Sequence, residues 1–144
     1  MKMKNTYTNR DIIAILNTLN QYQNSKLPQK ISYAITKNTM VYSKEYECYE
    51  KELTKLKETY DEYIVKNDKG EIEIGNFGIP KFNDSSMEKE FITKLNELLS
   101  IEVEVNAYHI NEECFNYDDI NNKYDSLSPS EILYLQRVLC GVDN

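Results

Sequence analysis

The sequence predicts a mostly helical α+β protein: an N-terminal helix hairpin with one long helix, a small two-stranded antiparallel sheet covered by a helix, and a C-terminal helix. Three observations carry this. Between Pro28 and Gly70 there is neither proline nor glycine, and apolar residues recur there at helical spacing. Two short segments, Glu71-Ile72-Glu73-Ile74 and Ile101-Glu102-Val103-Glu104-Val105, alternate between apolar and charged residues, the period of a half-wet strand. Two helix starts, at Thr8 and Ser128, carry capping residues at the right offsets. The length of 144 residues suits a single domain, 1–144.

Taken in order, residues 7–24 read as a first helix. Thr8 caps it, with Asp11 three residues on, and Ile12, Ile13, Leu16, Leu19 and Tyr22 form its apolar face. Residues 24–28 are a turn, and Pro28 stands where a helix start leaves an N–H unpaired anyway. One uninterrupted helix then spans Gln29 to Lys66. Its Ile31, Ala34 and Ile35 face Leu16 and Leu19 in a hairpin. Asn67 to Gly70 is a turn, Glu71–Ile74 a strand, and Gly75–Pro80 a loop. Phe77, Ile79 and Phe82 are costly to expose, so this loop packs down or meets a partner. A third helix covers 84–100, capped by Asp84, Ser85 or Ser86, with Phe91, Ile92, Leu95, Leu98 and Leu99 on its buried face. Residues 101–105 form the second strand, expected to pair with 71–74 under that helix. Residues 106–127 are loop with one helical turn at 111–115. Ser128-Pro129-Ser130-Glu131 then starts a last helix, which Gly141 ends.

From Tyr42 the apolar seam of the long helix steps by four and three through Tyr46, Tyr49, Leu53, Leu56, Tyr60 and Tyr63. A helix over 29–66 is roughly 57 Å long, whereas a compact chain of this size has a radius of gyration of about 14–15 Å. The distal part, about 42–66, is therefore expected to act as an oligomerisation arm in a homo-oligomer. Tyrosine must keep its hydroxyl at water or at a partner. The seam reads in two ways: a ring-lined groove that stacks on a planar ligand, or a semi-wet helix–helix interface, which is the commoner use of such stripes. On the first reading the ligand-binding residues are Tyr42, Tyr46 and Tyr49, joined by Tyr108 and His109 after the second strand.

Net charge is −7, distributed as +3 over residues 1–27, zero over 28–66 and −10 over 67–144. An acidic second half argues against direct nucleic-acid binding, which relies on Lys and Arg neutralising phosphates. It leaves open a basic protein partner or mimicry of a nucleic-acid backbone, beside plain solubility, the commonest use of an acidic surface. Cys48, Cys114 and Cys140 are widely spaced and odd in number, as in a reducing cytosol. No apolar run approaches the length of a membrane span, and Met1–Lys4 does not open a leader peptide.

Chemical motifs are weak. His109 is the one histidine, and no local signature pairs it with a nucleophile such as Cys114 or Cys48. A calcium loop started at Asp119 would need glycine where Tyr124 stands and glutamate where Ser130 stands. One histidine and three scattered cysteines do not make a zinc site. Gly75-Asn76-Phe77-Gly78 lacks the Lys-Ser/Thr pair of a phosphate loop. A non-enzymatic protein without metal or cofactor is the expectation.

Three stretches, Leu27 to Asn38, Asn96-Glu97-Leu98-Leu99 leading to Glu102–Val105, and Leu127-Ser128-Pro129 with Glu131-Ile132, carry a resemblance. In order and spacing they resemble a family of small uncharacterised proteins of phages and prophages of Gram-positive bacteria. The likeness covers about residues 8–140 and departs in the tyrosine-rich seam and the acidic insertion around Asn116–Asp125. That family has no activity to transfer. The resemblance implies a phage protein in the host cytoplasm. The expected role is a binding protein that antagonises host defence, by sequestering a nucleotide-type immune signal or by blocking a defence protein. The alternative is a virion or tail assembly accessory.

Overall fold

β1 (Thr6–Thr8), α1 (Asn9–Gln21), α2 (Gln29–Thr59), α3 (Ser85–Leu99), β2 (Glu102–Glu104) and α4 (Pro129–Leu139) follow one another in the computed structural model, which describes residues 5–141. This is the mostly helical α+β class, with one two-stranded antiparallel sheet. Met1–Lys4 lies outside the described residues. The chain sorts into two compact units: unit 1 runs to Glu47 and resumes at Glu102, and unit 2 is Cys48–Ile101. α2 supplies residues to both.

In unit 1, α1 begins as its sequence dictates. Thr8 Oγ1 accepts the Asp11 N–H at 3.2 Å, and the Asp11 carboxylate accepts the Thr8 N–H at 3.1 Å, a complete capping box. Ile12, Ile15, Leu16 and Leu19 share a core with Ile31, Ala34 and Ile35 of α2 and Leu135, Val138 and Leu139 of α4. Ile15 takes the buried place expected of Ile13, which is only partly covered. α4 opens on a second capping box between Ser128 and Glu131. Glu131 also accepts the Tyr22 hydroxyl at 2.5 Å, tying the end of α1 to the start of α4. That hydrogen bond, with those from Ser128, holds the Glu131 carboxyl below its usual range. Burial and Glu131 together push the Tyr22 phenol up to about 12.

The sheet corrects the expected strand pairing. β2 pairs with β1, in the register Thr6↔Glu104, Tyr7↔Val103, Thr8↔Glu102, and not with residues 71–74. Thr-Tyr-Thr is a good strand sequence, but the adjoining capping signal at Thr8 drew it into the predicted helix. Tyr7 is buried opposite Val103, Val105 lies in the core, and Glu102 and Glu104 face water. Ile101, expected inward, is exposed.

Unit 2 corrects the end of the long helix and the role of α3. α2 stops at Thr59, short of Lys66, and a 3₁₀ turn, Asp61–Tyr63, follows. Backbone pairing takes over there. The Val65 N–H donates to Lys81 O at 2.8 Å, Glu73 N–H to Val65 O at 3.0 Å, and Lys81 N–H to Glu73 O at 2.9 Å. Three extended pieces eight residues apart thus close a ring of hydrogen bonds, with bridges Ile64↔Phe82, Lys66↔Ile72 and Ile74↔Pro80. The alternation at 71–74 signals extended chain correctly but names the wrong partner. α3, capped by Asp84, does not cover a 71–74/101–105 sheet. Its Phe91 is fully buried edge-on against Tyr60 (5.8 Å between centroids, 88°) and beside Phe82. Tyr60, Ile64 and Phe91 form this unit's core, with Leu53, Leu56 and Leu95 packed on it. Within this unit, residues 60–99 thus pack on the Leu53 and Leu56 face of α2.

One residue runs against its surroundings. Phe77, in the tight turn Asn76–Gly78, has φ +60 and ψ 26, the left-handed region. A side chain there costs about 1–2 kcal/mol. The ring is 99% exposed, so no internal packing offsets that cost.

Candidate functional site

Of the residues singled out for ligand binding, two are core. Tyr42 is fully buried and meets Tyr7 edge-on, with centroids 5.7 Å apart at 80°. Burial, and the neighbouring Tyr7 and Tyr134 hydroxyls, push its phenol far above the ordinary value. Its ring cannot receive a ligand without opening unit 1. Tyr49 is buried too, and Tyr46 lies partly covered against the unit 1 core. The seam stripe is packing, and for Tyr42 and Tyr49 the ligand-stacking expectation is corrected on that ground.

Tyr108 and His109 differ, because a buried amide fixes their backbone at the surface. Asn38 occupies a seam position of α2 and is 0% exposed. Its Nδ2 donates to Tyr108 O at 2.8 Å and to Ala34 O at 2.9 Å, and its Oδ1 accepts the Tyr108 N–H at 2.8 Å. One side chain thus satisfies both backbone groups of Tyr108, as a neighbouring strand would. The Tyr108 ring comes to rest edge-on to Tyr33, at 5.4 Å and 70°. His109 turns the other way, onto Gly141, and its Nε2 is buried without a hydrogen-bond partner. Burial lowers its pKa, so the imidazole is neutral at pH 7. Cys140 is buried next to Gly141, and its thiol is pushed up to about 11 by that burial, with Glu112 and Cys114 adding to it. An un-ionised thiol is a poor nucleophile.

The Tyr33–Tyr108 pair continues into a surface that sequence reasoning missed. Lys30, Tyr33, Lys37, Met40 and Lys44 step along α2 by three, four, three and four, and all five are exposed. Tyr33 is 54% and Met40 68% exposed, high values for large apolar side chains. No Asp or Glu occurs between Asp11 and Glu45, although the chain carries −7 overall. This face is a second heptad stripe, turned to solvent, with lysine at every other position. The acid-free run and the polar Asn38 inside the apolar seam were its two readable signals.

Elsewhere the chemistry is internal. Asp119, the first residue of the calcium-loop reading, accepts the backbone N–H groups of Lys123 at 2.6 Å and Tyr124 at 3.1 Å, which caps its own turn. Among the described residues no group of three or more His, Cys, Asp or Glu side chains is placed to hold a metal ion. No helix among them is long and apolar enough to cross a membrane.

Fold and surface define a small α+β protein that displays a basic, aromatic helix face. Compared with protein-family models, curated proteins and solved structures, the chain matches none. The reading of its function thus rests on its own residues.

Proposed function

We propose that this is a non-enzymatic binding protein that acts by covering a partner protein, and that the exposed stripe Lys30–Tyr33–Lys37–Met40–Lys44 is the docking face. The supporting observation is the heptad spacing of exposed Tyr33 and Met40 among three lysines with no acid on that stretch of helix. Apolar anchors at i and i+7 flanked by one sign of charge suit an amphipathic helix whose flanks are acidic. Tyr108, held by Asn38, widens the aromatic end of the face. A helix face is convex, and small ligands favour concave sites. Blocking a protein is therefore the better-supported form of defence antagonism, and nucleotide sequestration the weaker one. The setting implied by the resemblance is a phage protein at work in its host's cytoplasm.

The test is photo-crosslinking from position 40 in phage-infected cells, with a control at exposed Ile120. An acidic helical segment of a host defence protein captured at 40 and not at 120 is the expected result. Capture of a virion protein would move the function to assembly. No position-specific crosslink, or identical capture from both sites, would refute the docking face.

A further inference from the structure

We infer that unit 2 carries a self-complementary patch, centred on Phe77, through which two copies of this chain associate about a two-fold axis. Phe77 stands fully exposed in a left-handed turn, a conformation that glycine or asparagine would adopt with less strain. A large ring kept in a strained and solvated position has an outside partner as its simplest explanation.

The neighbourhood says what that partner is. Beside the ring lies a groove of about 510 Å³, lined by Val65, Phe82 and Ile92 together with Phe77 itself, Lys81 and Glu88. A projecting ring and an apolar hollow thus sit on one face. So do opposite charges: Lys81 and Glu88 line the same groove, and neither is in an ion pair among the described residues. Ring, hollow and both charge signs lie together on this one surface. A two-fold contact requires such complements on the same surface, so that each feature meets its complement on the other copy. Phe77 of one protomer enters the groove of its partner, and Lys81 of one faces Glu88 of the other. Two exchanged rings of roughly 150–250 Å² each, with their rims, fall short of the roughly 1,200–2,000 Å² of a stable interface. The dimer is accordingly weak. This surface adjoins the seam of α2, since Phe77 also lines a smaller cavity with Tyr49 and Leu53, and it does not depend on the docking face of α2.

Analytical ultracentrifugation of the full chain over a wide concentration range tests the inference. The wild type is expected to show a concentration-dependent monomer–dimer equilibrium. F77N removes the ring while keeping a residue that tolerates positive φ. It is expected to weaken association at least tenfold with an unchanged or raised thermal midpoint. K81E and E88K should each weaken the dimer, and K81E/E88K together should recover it. A wild type that stays monomeric throughout overturns the proposal. So does a dimer indifferent to F77N, a double charge swap as weak as the single ones, or an F77N protein that loses thermal stability.

Discussion

Replacing Gly141 by alanine separates two effects that usually come together. Gly141 follows α4 at φ +68, and a Cβ built there would lie 2.5 Å from Cε1 and Nε2 of His109 and 2.8 Å from its Nδ1. The left-handed backbone alone costs an alanine about 1–2 kcal/mol. Ordinary carbon contacts sit near 3.5–4.0 Å, so the added methyl overlaps the imidazole by about 1 Å. Relieving that overlap means moving a ring whose Nε2 is buried, with an overpacking cost of about 1–3 kcal/mol. G141A should therefore destabilise by about 2–5 kcal/mol. In an H109A background only the backbone cost remains, leaving about 1–2 kcal/mol. Urea denaturation of wild type, G141A, H109A and the double variant measures the coupling, expected at about 1–3 kcal/mol. Additivity to within about 0.5 kcal/mol would refute the overlap and with it the placement of His109 on Gly141.

Further tests follow from buried groups. N38A strands both backbone groups of Tyr108 and should cost about 2–4 kcal/mol in urea denaturation; N38D should fare no better, since it lacks the donor that Ala34 O and Tyr108 O require. F91A empties the centre of the unit 2 core and should cost about 3–5 kcal/mol by the same measurement; a loss below about 1 kcal/mol would contradict full burial. For pH, burial puts the folded pKa of His109 below its unfolded value of 6.5. The unfolded chain then takes up a proton that the folded chain resists. Stability is thus complete above pH 6.5 and falls as the pH drops below it, toward the folded pKa. Thermal midpoints between about pH 7.5 and 5.5 should decline in the wild type and decline less in H109Q; equal slopes would rule out His109 as the source.

Features that involve only neighbouring residues were legible in the sequence. The capping boxes at Thr8–Asp11 and Ser128–Glu131, the Asp84 cap, the helical turn at 112–115 and the glycine after α4 all depend on spacings of a few residues. Periodicity likewise marked the helices and the extended pieces, because burial on one face imposes it. Pairing was not legible. Glu71–Ile74 and Ile101–Val105 carry the same alternation, and nothing in that pattern says that one meets Val65 and Lys81 while the other meets Tyr7. A strand's partner is set by which edge the rest of the chain brings near, which is a tertiary matter.

The exposed stripe on α2 was half legible. Its lysines, its exposed apolar residues and its missing acids stand in the sequence, but apolar residues at heptad spacing look alike whether they face a core or water. Tyr42 and Tyr33 lie on the same helix, and composition does not tell them apart. The fold buried Tyr42 against Tyr7 and left Tyr33 beside Tyr108, because Asn38 draws the 108–109 segment against that side of α2. The sequence by itself determined the helices, their caps and the class of fold, since these follow from local spacing and burial period. Only the tertiary structure decided where α2 ends, which strands pair and which tyrosines meet solvent. Those outcomes depend on contacts between residues far apart in the chain, whose sequence pattern names no partner.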